Sequence, residues 1–301
     1  ITQTSARAPE HTNLQKRMKI IILGTTGMAG NYMYNYFIDK STHEVLGYKR
    51  GDFDATSGEL NAQIVNQIKP GDVVINCVGV LKPKIKQTGV SDTILINSHW
   101  PALLAKICYE SQATLVHLCS DCVFSGHSAP YSENSICDAN DVYARTKMLT
   151  PDPAMVIRTS IIGEDANIYG VGLIGWLRTC LPETNVTGYN NCIWNGITCL
   201  ELAKIIHRCI MNNHMWTGVR HVFSDRPVSK DTLCRLINRI YNMKLNIRSV
   251  QASEISGSKC GRDGLIDRTL TTIYDRIEVS PIEQQIVEMK ETKYHIRRHD
   301  S

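Results

Sequence analysis

The sequence predicts an α/β fold: a doubly wound parallel sheet with a smaller C-terminal lobe. Three observations lead there. Runs such as Ile20 to Leu23 and Val73 to Ile75 are continuously apolar over strand length, as expected for strands covered on both faces. Helix-length amphipathic segments lie between them, so strands and helices alternate. A glycine-rich turn, Gly24-Thr25-Thr26-Gly27-Met28-Ala29-Gly30, joins the first strand directly to the first helix, at the sheet edge where such folds hold ligands.

Taken in order, residues 1–17 are polar and aperiodic and are expected to be a disordered tail, of artificial origin if Met18 is the natural start. The first strand is Lys19-Ile20-Ile21-Ile22-Leu23, and the first helix covers 28–39. Strands are expected at Glu44–Tyr48, Val73–Asn76, 114–118 and 155–157, with helices at 58–68 and 93–109. Thr150-Pro151-Asp152-Pro153 should end the helix carrying Tyr143 after about two turns. Beyond residue 160 the pattern loosens into loops, with helices expected at 200–211 and Lys230–Tyr241. The division is then a tail over 1–17, a Rossmann-type nucleotide-binding domain over 18–160, and a mainly substrate-binding lobe over 161–301. Some segments of that lobe should return to the first domain. There is no internal repeat and no low-complexity tract.

Composition excludes several classes. The 301 residues carry 33 basic and 29 acidic side chains, a formal charge of +4, and 43% are apolar. A chain of this size buries enough core to fold without disulfides or metals. Its charges are scattered, with no like-charged block to mark a nucleic-acid binder. Apolar runs stop far short of the ~20 residues of a membrane span. Eleven cysteines at irregular spacing, without a secretory segment, point to reduced thiols and a cytoplasmic location.

Two segments bear the chemistry. In the turn after the first strand, Gly24, Gly27 and Gly30, with Thr26 and Met28 between them, let the backbone approach a pyrophosphate and the helix pack closely. The spacing is GxxGxxG rather than GxGxxG. The second strand ends in Tyr48-Lys49-Arg50, where an NAD binder would place an acid; two cations favour the 2′-phosphate of NADP(H), unless they are simply a solvated strand end. Asp54, followed by Ala55, can cap the next helix or bond adenine. Further on, Ser120-Asp121-Cys122-Val123-Phe124-Ser125-Gly126 follows a strand, and Tyr143-Ala144-Arg145-Thr146-Lys147 places Tyr143 and Lys147 on one helix face. There the ammonium can lower the phenol's pKa while the phenol passes a proton to a carbonyl oxygen that Ser120 also bonds.

On these motifs the chain resembles the extended short-chain dehydrogenase/reductases, within them the dTDP-4-dehydrorhamnose reductase branch, from Lys19 to about Leu270. The family's T-D-Y-V-F-D-G appears with Ser120 for Thr and Cys122 for Tyr. The resemblance implies Ser120, Tyr143 and Lys147 as the catalytic set. The same resemblance puts Gly24, Thr26, Gly27, Met28, Gly30, Lys49, Arg50, Asp54, Ala55, Asn76, Cys77, Val78, Asn97 and Thr159 around NADP(H), together with Tyr143 and Lys147. It further implies reduction of the 4-keto group of a dTDP- or UDP-linked 6-deoxyhexose, a 2-acetamido sugar included. Ser120, Asp121 and Cys122 would touch that sugar, and Asn191, Trp194 and Arg262 are further candidate contacts.

Departures open alternatives. Sugar-nucleotide 4,6-dehydratases carry T-D-E where this chain has Cys122, so dehydration lacks its base. GDP-fucose synthases carry S-S-C there, and a thiol at Cys122 can move a proton next to the ketone, which makes a bifunctional epimerase-reductase the alternative. Those enzymes also use a His or Lys near 169–177, absent here. The shortened Tyr143 helix removes part of the surface through which relatives pair, leaving a homodimer open. A second class is a non-catalytic NADP-binding partner protein like the beta subunit of methionine adenosyltransferase.

Cys119 and Cys122 form a CxxC, but strand alternation would put them on opposite faces, and no second pair follows, so no metal site is expected. His117 is expected to be a satisfied core residue.

Overall fold

The protein is described from a computed structural model over residues 18–57, 62–165, 172–252, 266–292 and 294. The expected tail over 1–17 lies outside these residues.

The chain runs β1 (Lys19–Leu23), α1 (Met28–Lys40), β2 (Glu44–Tyr48), α2 (Ala62–Gln67) and β3 (Val73–Asn76). Two short helices, α3 (Ile85–Thr88) and α4 (Val90–Ile94), lead through a π-turn (Leu95–His99) into α5 (Trp100–Glu110). Then come β4 (Thr114–Ser120), a 3₁₀ turn (Asp121–Val123), α6 (Val142–Met148) and β5 (Met155–Thr159). The six-stranded sheet has the order β2-β1-β3-β4-β5-β10, all parallel, its sixth strand β10 being Gly218–His221. The order reverses between β1 and β3, so the carboxyl ends of these two strands border a crevice.

Both faces of the sheet are covered, which is why its strands read as apolar throughout. Side chains alternate by two along each strand. Ile20, Ile22, Ile75, Val116 and Ile157 therefore meet Met33 and Phe37 of α1 and Leu202 and Ile206 of α8 (Cys199–Met211). Ile21, Leu23, Val74, Leu115 and Val156 meet Ile64, Trp100 and Leu104 on the other side. Ile20 to Leu23 are fully buried; truncating one such residue to alanine costs about 2–5 kcal/mol.

The later chain forms β6 (Ile161–Ile162), α7 (Leu173–Thr179), β7 (Asn185–Tyr189), β8 (Cys192–Trp194) and β9 (Ile197–Thr198) before α8. After β10 follow β11 (Val228–Ser229), α9 (Lys230–Tyr241), β12 (Asn246–Val250), β13 (Ile266–Asp267) and α10 (Ile282–Thr292). These build three small sheets, β11-β8-β13, β12-β7 and β6-β9, over a separate core that includes Ile174, Leu177, Leu233, Ile237 and Ile286. Gln285 ties α10 down: its Oε1 accepts from Thr198 N at 2.9 Å and its Nε2 donates to Ser280 O at 2.6 Å. No described helix is long and apolar enough to cross a membrane.

Three local features differ from expectation. The helix foreseen over 93–109 is broken by the π-turn, which widens to bring Asn97 inward. β4 and β5 run two residues further than foreseen because Ser120 pairs with Thr159 across them. Cys122 lies in the 3₁₀ turn, not on the strand, so alternation does not set its direction.

Candidate active site

Backbone geometry shapes the turn after β1. Gly24, at φ 90°, donates to Tyr48 O at 2.8 Å, and Gly27 N donates to Gly24 O at 3.1 Å; that φ favours glycine. A Cβ on Gly30 would lie 2.1 Å from Gly24 O, whereas one on Gly27 would meet nothing nearer than 3.5 Å. Gly30 therefore lets α1 approach the turn, and Gly27 leaves open space above it. The first turn of α1 has no acidic residue and no side-chain cap. The N–H groups of Met28, Ala29 and Gly30 have no acceptor inside the helix, so donors and the positive helix end face an incoming anion. Thr26 is exposed and Met28 half-buried at the rim.

Beyond β2, Lys49 and Arg50 are both exposed, with Lys49 N donating to Asp52 Oδ2 at 2.7 Å. Asp54 folds its own loop: it accepts from Thr56 N at 2.9 Å and Thr56 Oγ1 at 2.7 Å, bonds that hold its carboxyl below the usual range. Ala55 and Phe53 are buried, and Phe53 stacks on Trp100 at 5.1 Å. This anchors the loop that presents Asp54.

At the end of β3 the Asn76 side chain is spent inside the protein. Its Oδ1 accepts from Val78 N at 3.1 Å and Trp100 Nε1 at 3.3 Å, and its Nδ2 bonds His117 Nδ1 at 3.1 Å. Asn76 thus shapes the Cys77-Val78 loop instead of reaching outward. His117 is buried and satisfied, as expected, with burial holding its pKa well below the usual value. The half-buried Cys77 thiol is pushed up to about 12 by desolvation, and its Cβ packs behind Gly30. Asn97 Oδ1 accepts from Val80 N at 2.8 Å, while its Nδ2 donates to Val80 O at 3.1 Å and to Thr146 Oγ1 at 3.2 Å. The π-turn so fixes the loop after β3 against α6.

Ser120 closes β4. Its Oγ accepts from Cys122 N at 3.1 Å and donates to Asp121 Oδ1 at 3.2 Å. Asp141 caps α6 through Ala144 N at 3.1 Å, and Lys82 Nζ holds that carboxylate at 2.7 Å. Tyr143 and Lys147 share one buried face of α6. Lys147 Nζ donates to Leu118 O at 2.9 Å, so the ammonium is anchored on the strand and is not set against the phenol as expected. Burial, with Cys122 adding, pushes the Tyr143 pKa up, opposed by a hydrogen bond with Ser120. The phenol is therefore held in its neutral form, with its proton in place. Burial lowers the Lys147 pKa.

Cys122 is half-buried, its thiol pushed up to about 12 by desolvation and by Asp121. Cys119 instead faces Lys147 O at 3.3 Å. No group of His, Cys, Asp or Glu among the described residues could hold a metal ion.

The remaining candidates divide. Thr159 is buried at the end of β5 beside Ser120. Trp194 is only 4% exposed; its Nε1 donates to Ser160 Oγ at 2.8 Å and its face lies under Lys230 Nζ at 5.0 Å. Asn191 Oδ1 accepts from Ala252 N at 2.9 Å, so it holds its own lobe together. Arg262 lies outside the described residues. Two cations missed by the sequence reasoning, Lys230 and Arg268, both act on buried Asp121, whose carboxyl is raised by burial against their pull. Lys230 carried a signal: it is the first residue of a helix, where a cation is disfavoured. Arg268, which donates from Nε to Phe124 O at 2.8 Å, carried none.

Comparison with known proteins agrees with this architecture. A dTDP-4-keto-6-deoxy-D-glucose reductase from Streptomyces niveus is 28% identical over 149 residues, 46% of this chain and 51% of that protein. The methionine adenosyltransferase 2 subunit beta of Xenopus laevis is 31% identical over 136 residues, 43% of this chain and 40% of its own length. These matches span about half of the curated relatives or less. A solved dTDP-4-dehydrorhamnose reductase from Bacillus anthracis, in complex with NADP, shares the fold with a TM-score of 0.75 at 17% identity, covering 92% of this chain and 99% of that one. The family model described as the RmlD substrate binding domain matches residues 18–162, and over that stretch, just under half of its length, the chain is similar to that family.

Proposed function

We propose that the protein reduces the 4-keto group of a nucleotide-linked 4-keto-6-deoxyhexose, with NADPH as the reductant. The observation that carries this is the convergence of Ser120, Tyr143 and Lys147 at the carboxyl end of β4, next to the turn that Gly24, Gly27 and Gly30 keep open. The open space over Gly27 and the uncapped start of α1 fit a pyrophosphate, and exposed Lys49 and Arg50 suit a 2′-phosphate. The names of the reductase relatives and the NADP complex of the Bacillus anthracis protein support the same reading.

NADPH bound there supplies the hydride. The chain's own groups do the rest. Ser120 and Tyr143 hold the ketone oxygen, and Tyr143, kept neutral by burial, gives it a proton as negative charge builds there. Lys147, buried beside Gly79 and anchored on Leu118 O, places a cation at the mouth of the β3 loop, where a ribose hydroxyl can accept from it.

The experiment is turnover. Purified protein should oxidise NADPH with a dTDP- or UDP-4-keto-6-deoxyhexose, and failure with every such sugar refutes the proposal. Two readings are tested alongside. Cys122 at the site favours epimerisation before reduction, which would appear as solvent deuterium entering the carbons beside the ketone. The similarity to methionine adenosyltransferase subunit beta favours a partner role, which would appear as tight association with a catalytic subunit and no turnover.

A further inference from the structure

Lys230 is placed where the helix backbone disfavours a lysine. It is the first residue of α9, behind the cap Ser229, at the helix end that repels cations. The adjacent acid, Asp231, turns away to pair with Arg235 at 3.0 Å. Lys230 is half-buried, its Nζ lies 5.0 Å above the Trp194 ring, and the ammonium makes no hydrogen bond among the described residues. Trp194 is a fixed platform, held by Ser160 through its indole N–H and by the pairing of β8 with Val228. From it the ammonium faces the turn after Ser120, within electrostatic reach of Asp121 and Cys122. An ammonium carries three donors, and one held in place without a protein acceptor is available to a ligand oxygen.

We infer that Lys230 contacts the substrate and sets specificity, its ammonium donating a hydrogen bond to the sugar hydroxyl on the carbon next to the ketone. The inference rests on the reductase reading above. In a 4-keto-6-deoxyhexose the keto carbon has two ring neighbours. One bears the methyl group and the ring oxygen, so the C3 hydroxyl is the single hydroxyl on a flanking ring carbon. With the ketone oxygen held by Ser120 and Tyr143, the turn at Asp121 and Cys122 borders the flanking carbons, and Lys230 adjoins that turn. Trp194, a candidate sugar contact from sequence, then acts through Lys230: its face is covered and its N–H is taken.

The test pairs a protein change with a substrate change. Lys230→Met keeps an unbranched chain over Trp194 and removes the charge. The ratio kcat/KM is measured for the keto sugar and for its 3-deoxy analogue, with wild type and variant. Wild type should lose about a hundredfold on the analogue. The variant should lose a similar factor on the parent sugar yet scarcely distinguish the two, with NADPH affinity and melting temperature unchanged and Lys230→Arg recovering part of the loss. A variant that still discriminates as wild type does, or that shows no loss, overturns the assignment. If wild type turns over neither sugar, the reductase reading fails by itself; equal calorimetric affinity of wild type and variant for the nucleotide sugar then overturns the role of Lys230 as well.

Discussion

Gly30→Ala tests whether the turn after β1 is built as described. The added methyl would sit 2.1 Å from Gly24 O and 2.7 Å from Gly24 C. Both are backbone atoms that cannot swing aside, and an ordinary contact requires α1 to retreat by about 1 Å. Nothing behind α1 gives way, because Met33 and Phe37 are fully buried between the sheet and α8. Overpacking of this kind costs about 1–3 kcal/mol. At about 2–4 °C per kcal/mol for a protein of this size class, the melting temperature should fall by several degrees. The displaced N–H groups should weaken NADPH binding by about 10- to 100-fold, at 1.4 kcal/mol per tenfold. Gly27→Ala is the internal control. Its methyl meets only Gly24 O, at 3.5 Å, so it should melt like wild type while filling the space reserved for phosphate and losing NADPH affinity. Thermal denaturation and fluorescence titration with NADPH read both effects. Wild-type melting and affinity in Gly30→Ala, or equal melting losses in the two variants, would refute the reasoning.

Three further outcomes follow from the same geometry. Tyr143→Phe should lower kcat by about 10²–10⁴ with NADPH affinity intact; because burial raises this phenol's pKa, the wild-type rate should hold into alkaline solution, and a decline beginning near neutrality would contradict the assignment of Tyr143 as the acid. Replacing Lys49 and Arg50 together by alanine should erode the preference for NADPH over NADH by about tenfold, less at high salt where exposed charges are screened; an unchanged cofactor ratio in steady-state kinetics would place the 2′-phosphate elsewhere. The Cys122 thiol, pushed up to about 12, should be alkylated slowly at neutral pH and ever faster as pH rises, and a plateau below about pH 9 in peptide mass spectrometry would show a low-pKa thiolate instead.

The sheet and the glycine turn were legible because they rest on local rules. Continuous apolar strands need two covered faces, and only glycine fits at Gly24 and Gly30. The shared helix face of Tyr143 and Lys147 is likewise local, fixed by helical spacing, whereas the direction of the ammonium, set by Leu118 O on β4, is not. What escaped depends on long-range placement. Asn76 looked free to reach a cofactor, but Trp100 and His117, distant in sequence, claim its amide. Cys122 was assigned a strand face because the end of β4 depends on the partner strand, and pairing of Ser120 with Thr159 ends the strand before it. Trp194 reads as a sugar platform until Lys230, brought in by the antiparallel pairing of β11 with β8, covers it.

The sixth strand has a consequence for how the molecule divides. The family match ends at residue 162, yet β10 completes the sheet beside β5, and α8 shares with α1 the covering of one face of β1, β3 and β5. A fragment cut at that boundary would present an unpaired strand edge and a bare stripe of isoleucines, the surfaces on which chains stack into aggregates. The recognisable half is thus not an autonomous folding unit. Because both halves share one sheet and Gln285 ties α10 to Thr198 and Ser280, swinging one half against the other would break strand pairing.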